Sequence, residues 1–335
     1  VRIVQVVVTD AFAGVEAYVA QTAAELGRRG HDVVVLGGDE AAMTAALGGH
    51  AEWRAAASPS TAMSALKRVG RVDVVNAHLT HAETAASLTR GRHRGAIVAT
   101  RHVLTPRGHG ASGQLIRRLV EPRIDAEIRV SASVPASPGV RHSVVIANGI
   151  APQPAAYLSS SRTVLMVQRL EPEKATDVGL LAWQASGLAS HGWSLVVAGD
   201  GSERPRLQAM VAAEPSVEFL GRVADVPALW PRAGMLLAPS DREAFGLAVL
   251  EAMAAGVPVV AAEAGGHVDT AGSVPGAAMF APGDVEAAAL LLRELAADDD
   301  RRGRLGDAGR EVQQQQFSLQ RQVDELEETY RMVQR

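Results

Sequence analysis

The stretch Asp241–Val260, DREAFGLAVLEAMAAGVPVV, decides how the rest of the chain is read. Two carboxylates, Glu243 and Glu251, stand around a Phe245-Gly246 pair, and the stretch closes on Gly-Val-Pro and two valines. The residues before it, AGMLLAPS (Ala233–Ser240), form an apolar run ended by Pro and Ser, the pattern of a buried strand. Glu243 then falls in the loop at the carboxyl end of that strand. Phe245-Gly246-Leu247 open a helix, and Glu251 projects from its first turns. In open α/β sheets ligands bind outside the carboxyl ends of the strands, so both carboxylates fall where chemistry is expected. A plainer reading stands beside this one: an exposed helical Glu251, and a Glu243 that pairs with Arg242 or caps the helix.

Outward from this stretch, short aliphatic runs alternate with helical ones, which predicts parallel sheets with crossover helices. In the first half the runs are Ile3–Val8, Val33–Leu36, Val72–Ala77, Ala96–Thr100, Glu127–Val130 and Ser143–Ile146, with a helix over Val15–Arg29. In the second half they are Thr163–Val167, Ser194–Ala198, Val217–Leu220, Met235–Ala238, Pro258–Ala261 and Ala277–Phe280. Helices are predicted at Thr176–Ala189, Arg204–Ala213, Val226–Trp230 and Gly246–Ala255. The tail from Val285 is helical, broken near Gly303–Gly309 and Phe317–Ser318. Gly149–Ser161, rich in Pro, Ser, Ala and Gly, marks the boundary. The expected domains are 1–152, 153–318, and a closing helix 319–335 that returns to the first domain.

The 335 residues are more than one core usually holds, in keeping with two domains. The chain has no cysteine, which excludes disulfides, thiolate metal sites and cysteine nucleophiles and fits a cytoplasmic protein. No apolar run reaches the ~18–20 residues of a membrane span. The opening VRIVQVVVTD looks like a first core strand, without the features of a signal peptide. Charge is uneven: net +5 over residues 1–150 and −9 over 151–335. Such asymmetry fits an anionic partner for the first half, or simple surface drift.

Several loops carry candidate chemistry. The loop TDAFAGVEAY has only Gly14 to let the backbone approach a phosphate, so the Gly-x-Gly-x-x-Gly dinucleotide fingerprint is absent. The loop VQRLEPEKATD sets Arg169 and Lys174 at a strand's carboxyl end, and Lys174 is one of only two lysines. A guanidinium fork plus an ammonium point charge suits a diphosphate, while two solvated surface cations are the plainer reading. Gly199-Asp200-Gly201 and Gly221-Arg222-Val223 are turns on the same sheet edge, without a role from spacing alone. His78 and His102 end strands that are expected to face a cleft between the domains. No His and carboxylate spacing predicts a metal site, His78 and His81 being the nearest approach.

These residues resemble the retaining glycosyltransferases of family four, which have the GT-B fold of two Rossmann-like domains facing across a cleft. The resemblance rests on QRLEPEKATD, LVVAGDGSERPRL and VEFLGRVADVPALWPRAGMLLAPSDREAFGLAVLEAMAAGVPVVAAEAGG. In the first half it continues in AGVEAYVAQTAAELGRRGHDVVVL, DVVNAHLTHAE, TRHV and VIANGI. It implies an acceptor-binding first domain and a nucleotide-sugar-binding second one. Glu251 would hold the ribose hydroxyls of the nucleotide, and Glu243 would meet the donor sugar. Arg169 and Lys174 would clamp the diphosphate and stabilise its departing charge. Gly14 would bring its amide to the phosphates, and Phe245, Gly246 and Leu247 would bind donor oxygens through their amides. His102 would hydrogen-bond a sugar hydroxyl, and the backbone of Val223 would touch the base. Three glycines usual in the family are replaced: the positions before Arg169, after Lys174 and before Gly14 hold Gln168, Ala175 and Ala13.

The resemblance thus implies transfer of a sugar from a UDP- or GDP-linked donor to an acceptor hydroxyl. It implies retention through same-face attack, without a metal or cofactor; Glu243 as a covalent nucleophile is the lesser variant. The other readings are a nucleotide-sugar epimerase or phosphorylase on the same scaffold, a sugar-nucleotide-binding protein without turnover, and a dinucleotide oxidoreductase, which the absent fingerprint disfavours. The acceptor is expected to be a small molecule, glycan or glycolipid, with no nucleic acid partner. The Arg-rich segment Gln114–Arg123 admits peripheral contact with anionic lipid through Leu115, Ile116, Leu119 and Val120, supported by Arg117 and Arg118, or an ordinary helix packing its apolar side.

Overall fold

The computed structural model describes residues 1–334 apart from 106–113, 115, 116 and 224. The chain divides into two compact units, Val1–Ile150 with Leu319–Arg335, and Ala151–Ser318.

The first unit runs β1 (Arg2–Val7), α1 (Gly14–Arg28), β2 (Asp32–Leu36), α2 (Glu40–Leu47), β3 (Glu52–Arg54), α3 (Pro59–Val69), β4 (Val74–His78), α4 (Leu79–His93), β5 (Ala96–Arg101), β6 (Ala126–Arg129) and β7 (Ser143–Val145). Its seven strands lie in the order β3-β2-β1-β4-β5-β6-β7, every neighbouring pair parallel. Parallel strands need crossover connections, and the crossing helices cover the sheet faces. Hence the continuous Val and Ile runs: Ile3, Val4, Val34, Val75 and Ile97 are fully buried. Ala62, Ala65, Ala82 and Ala85 share the core of Val4, Val34, Val75 and Ile97, small side chains that let α3 and α4 sit close to the sheet and to each other. Ser58 starts α3 by accepting a hydrogen bond from the Thr61 amide at 3.3 Å, with Pro59 at the first helical position.

The second unit runs β8 (Thr163–Val167), α5 (Thr176–Ser186), β9 (Ser194–Ala198), α6 (Arg204–Met210), β10 (Val217–Gly221), β11 (Met235–Ala238), α7 (Leu247–Ala255), β12 (Val259–Ala262), α8 (Gly266–Asp269), β13 (Ala278–Phe280), α9 (Val285–Ala297) and α10 (Asp299–Gln316). The strand order is β10-β9-β8-β11-β12-β13, again parallel throughout. The closing helix α11 (Leu319–Val333) belongs to the first unit, where Leu319 donates to the Ile150 carbonyl at 3.1 Å. Arg29 pairs with Asp324 at 2.6 Å, and His31 meets Glu327 at 3.0 Å.

One strand was not foreseen, and three expectations need correction. β3 is an edge strand of three residues, EWR, with no apolar run to announce it. The segment expected as a helix at Val226–Trp230 is a 3-10 turn, Pro227–Arg232, because Pro227 and Pro231 withhold amide donors. The tail breaks at Asp298, not at Gly303–Gly309. Asp298 caps α10, its carboxylate accepting from the Arg301 amide at 2.7 Å, and the glycines lie inside that helix. Gly306 lies so close to the Gly256 carbonyl that any Cβ would collide with it, so this glycine serves packing. Val120, one of the side chains offered to lipid, is buried in the first unit's core. Leu119 is exposed, while Leu115 and Ile116 lie outside the described residues.

In each sheet the strand order reverses once, between β1 and β4 and between β8 and β11. At such a point the two adjoining loops leave in opposite directions and open a crevice above the carboxyl edge. Gly14 follows β1 and His78 ends β4; Arg169 and Lys174 follow β8 and Glu243 follows β11. These five of the residues singled out in the sequence therefore flank the two switch points.

Candidate active site

At the switch point of the second unit, Lys174 and Glu243 form an ion pair between residues 69 positions apart. Their side chains keep only 14% and 22% of their surface, so the pair is largely withdrawn from water. Lys174 closes a 3-10 turn, Pro172–Lys174, that the loop after β8 makes before α5. Gln168 braces this turn from within: its side-chain amide donates to the Lys174 carbonyl at 3.1 Å and to the Thr176 hydroxyl at 2.8 Å. Gly199 and Gly201, which the sequence left without a role, lie against the backbone of Gln168 and Leu170, where any side chain would collide. They let the next turn press down on the loop that carries Lys174.

Of the replaced glycines, only one meets a backbone that glycine favours. Ala175 sits in the left-handed region at φ 49° and ψ 38°, which costs a residue with a Cβ about 1–2 kcal/mol. Ala13 is extended, at φ −144°, and precedes α1 without strain; its amide donates to the Glu16 carboxylate at 2.9 Å.

Arg169 is not drawn into the pair. Its side chain is 63% exposed and its guanidinium lies 2.9 Å from the Glu173 carboxylate. A surface pair of this kind is worth about 0–1 kcal/mol, so Arg169 is readily exchanged to another anion.

Glu243 is held through its backbone. Its carbonyl accepts from the Gly266 amide at 2.8 Å, and a Cβ on Gly266 would fall on the backbone of Ala244 and Phe245. The loop after β12 thereby presses the Glu243 loop into place. His267, two per cent exposed, lies beside Gly246 and faces the Ala262 carbonyl at 3.3 Å. Burial pushes it below its ordinary 6.5, against the pull of Glu243. No role for Gly265, Gly266 or His267 was evident from the sequence. The signal available was the Gly-Gly-His at a strand's carboxyl end, one strand beyond Glu243.

Phe245 is buried, its ring edge-on to Phe317 at 5.9 Å. Gly246, at φ 90°, turns the chain into α7, whose first amides have no carbonyl within the helix to bond. Glu251 sits on that helix, partly buried. Burial pushes its carboxyl up to about 7 from an ordinary 4.5. Its oxygens make no ion pair or hydrogen bond among the described residues and are not sealed from solvent. Val223 lies partly buried in the loop after β10.

In the first unit, Gly14 opens α1 at the β1 switch loop. His102 follows β5, with its Nε2 3.0 Å from Nδ1 of His78 and its ring edge-on to Tyr18 at 4.7 Å. Burial drives His102 down to about 3 and His78 well below its ordinary value, so both rings are neutral. Among the described residues, no three His or carboxylate side chains gather to hold a metal, and no helix is long and apolar enough to cross a membrane.

Known proteins resemble this chain in sequence and in fold. The family model for Glycosyl transferases group 1 matches residues 153–312, and that for Glycosyltransferase Family 4 matches residues 12–156. The structure of Anabaena Alr3699/HepE in complex with UDP-glucose superposes with a TM-score of 0.82 at 19% identity, over 98% of both chains. Sucrose-phosphate synthase from Thermosynechococcus elongatus gives 0.78 at 18% identity, over 99% of this chain and 98% of the other. A D-inositol 3-phosphate glycosyltransferase of Saccharomonospora viridis is 31% identical over 275 residues, 77% of this chain and 62% of that protein. An exopolysaccharide phosphotransferase of Streptomyces coelicolor is 37% identical over 152 residues, 42% of this chain and 15% of the other. The chain thus spans less than two thirds of the length of these curated relatives. Two parallel Rossmann-like sheets with these matches define a protein of the GT-B class. Within that class, the chain belongs to the family-four glycosyltransferases.

Proposed function

We propose that this protein transfers a glycosyl group from a nucleoside-diphosphate sugar to an acceptor hydroxyl, with retention at the anomeric carbon and without a metal. The observation that carries the reading is the paired Lys174 and Glu243 at the second switch point, with Glu251 on the following helix unpartnered among the described residues. In the resting protein the ammonium and the carboxylate satisfy each other. A diphosphate competes for Lys174 with more negative charge than one carboxylate, which releases Glu243 to accept hydroxyls of the sugar. Arg169 leaves Glu173 for a second phosphate oxygen at little cost. Glu251 accepts the ribose hydroxyls, and Phe245, Gly246 and Leu247 offer backbone amides to donor oxygens. Val223 meets the base. Gly14 and His102 take the roles of phosphate contact and hydroxyl partner.

In the step itself the acceptor oxygen bonds to the anomeric carbon from the face that the diphosphate leaves. The anomeric carbon–oxygen bond to phosphate breaks, and the acceptor proton passes to the departing phosphate oxygen. Lys174 and Arg169 stabilise the charge that develops there, which gives the cation's work to side chains. UDP is the first donor base to test, given that the Anabaena neighbour was crystallised with UDP-glucose.

A thermal-shift screen of UDP, GDP, ADP and dTDP sugars tests the reading, repeated with EDTA and with Lys174→Ala and Glu251→Ala. One donor should stabilise the wild type, EDTA should leave the shift intact, and both substitutions should reduce it. NMR of the product's anomeric coupling then reads retention. Unchanged shifts in both variants, or an inverted product, would refute the assignment.

A further inference from the structure

The middle of the first sheet carries buried polar side chains that no role above uses. Gln5 on β1 and Asn76 on β4 are fully buried, in positions that parallel strands ordinarily give to aliphatic residues. Both side-chain amides donate to the Tyr330 hydroxyl on α11, Asn76 at 2.8 Å and Gln5 at 3.3 Å. Asn76 accepts in turn from Thr100 at 2.8 Å. With its nitrogen committed to Tyr330, Gln5 turns its carbonyl oxygen to His78, 2.7 Å from Nε2. His78 Nδ1 then faces His102 Nε2 at 3.0 Å.

The protons along this line follow by elimination. A carboxamide oxygen has no hydrogen, so His78 Nε2 must donate to Gln5. His78 is neutral and carries a single N–H, which leaves its Nδ1 bare. A bare nitrogen accepts, so the N–H of His102 is on Nε2. His102 is neutral as well, and its Nδ1 is left with a lone pair. That nitrogen has no partner among the described residues and is not sealed within them.

We propose that Gln5 and His78 are positioning residues that hold His102 as its Nε2–H tautomer, presenting Nδ1 as a hydrogen-bond acceptor to a hydroxyl of the bound sugar. The hydroxyl partner rests on the function proposed above; the tautomer does not. Tyr330 anchors the far end, since the Gln5 amide keeps its orientation only while its nitrogen has the phenol oxygen to bond. A free neutral imidazole distributes its proton between its nitrogens, and a site that relies on a lone pair is weakened by every molecule in the other form. Burial keeps the ring uncharged, and this matters because a hydroxyl-facing imidazolium would donate where an acceptor is wanted.

The test is long-range proton–nitrogen NMR of histidine-labelled full-length protein, in which bare and protonated ring nitrogens resonate far apart. Wild-type His102 should show a bare Nδ1 and a protonated Nε2, unchanged from pH 6 to 8. Gln5→Met, close in size but without an acceptor, and Tyr330→Phe, which keeps the ring, should each give mixed tautomers at His102. His102→Gln assigns the signal. A protonated Nδ1 in the wild type, or an unmoved tautomer in both folded variants, would overturn the proposal. The same samples separate it from the functional reading. Gln5→Met should lower kcat about tenfold while the affinity for the bare nucleoside diphosphate stays within about twofold. Absence of turnover in the wild type, with the tautomers as stated, would refute the transferase reading and leave the tautomer assignment standing.

Discussion

Glu251→Gln should make the free protein more stable and the donor complex weaker, and pH should separate the two effects. Burial raises the Glu251 carboxyl from 4.5 to about 7, so the folded protein holds a proton that the unfolded chain releases. Below about pH 4.5 both states are protonated and the group contributes nothing to the pH dependence. Between pH 4.5 and 7 the unfolded state ionises first, so stability falls as pH rises; above pH 7 the loss is complete. At about 1.4 kcal/mol per pH unit the ceiling is about 3 kcal/mol, and partial access of the carboxylate to water brings the expectation to about 1–3 kcal/mol. Glutamine has the same shape and no charge, so above pH 7 it should recover that amount. Ligand binding runs the other way. Two ribose hydroxyls need an ionised acceptor, and with a carboxyl at about 7 the ionised fraction rises from about 9% at pH 6 to about 91% at pH 8. Affinity for a sugar nucleotide should therefore rise about tenfold over this window and then level off. The sugar nucleotide is the suitable probe because its diphosphate diester has no proton to lose there. Urea denaturation at pH 5.5 and 8 and titration calorimetry from pH 6 to 8 measure the two effects. A Glu251→Gln variant less stable than wild type at pH 8, or a wild-type affinity flat with pH, would refute the reasoning.

Three further outcomes follow from the site. Ala175→Gly should relieve the left-handed strain at φ 49° and stabilise the protein by about 0.5–1 kcal/mol net of glycine's entropy, raising Tm by about 2 °C in a thermal melt. In a double-mutant cycle on the free protein, Lys174→Ala and Glu243→Ala should show a coupling of about 1–2 kcal/mol, because each leaves the other's charge half-buried; simple additivity would mean that the pair is idle. Gly266→Ala should cost more than about 2 kcal/mol and abolish donor-induced stabilisation, since its Cβ would strike the backbone that positions Glu243; wild-type stability would show that the loop yields.

The aliphatic strands were legible to the residue at Thr163–Val167, Ser194–Ala198 and Met235–Ala238, because a strand buried on both faces is built mainly of aliphatic residues. Glu52–Arg54 escaped because an edge strand needs only backbone partners. The tail misled for a reason of packing. Glycine within a helix usually signals a break, and here Gly306 is required by a neighbouring backbone, while the true stop was announced by Asp298 as a cap. At the site, sequence spacing identified the charged residues but could not pair them. Lys174 and Glu243 meet because β8 and β11 are neighbours in the sheet, a fact of topology and not of spacing. The Arg169–Glu173 pair was local and open to reading. The line from Gln5 to His102 was not, since it joins three strands and a helix from the far end of the chain.

That the first unit includes α11 has a consequence for the order of events during synthesis. Tyr330 is made 254 residues after Asn76, whose amide it accepts. At about 5–20 residues per second, the first sheet, complete at Val145, waits about 9–37 s for the side chain that completes its polar interior. The second unit, continuous from Ala151 to Ser318, has all its residues in hand before then. The half translated first is thus the last that can be finished.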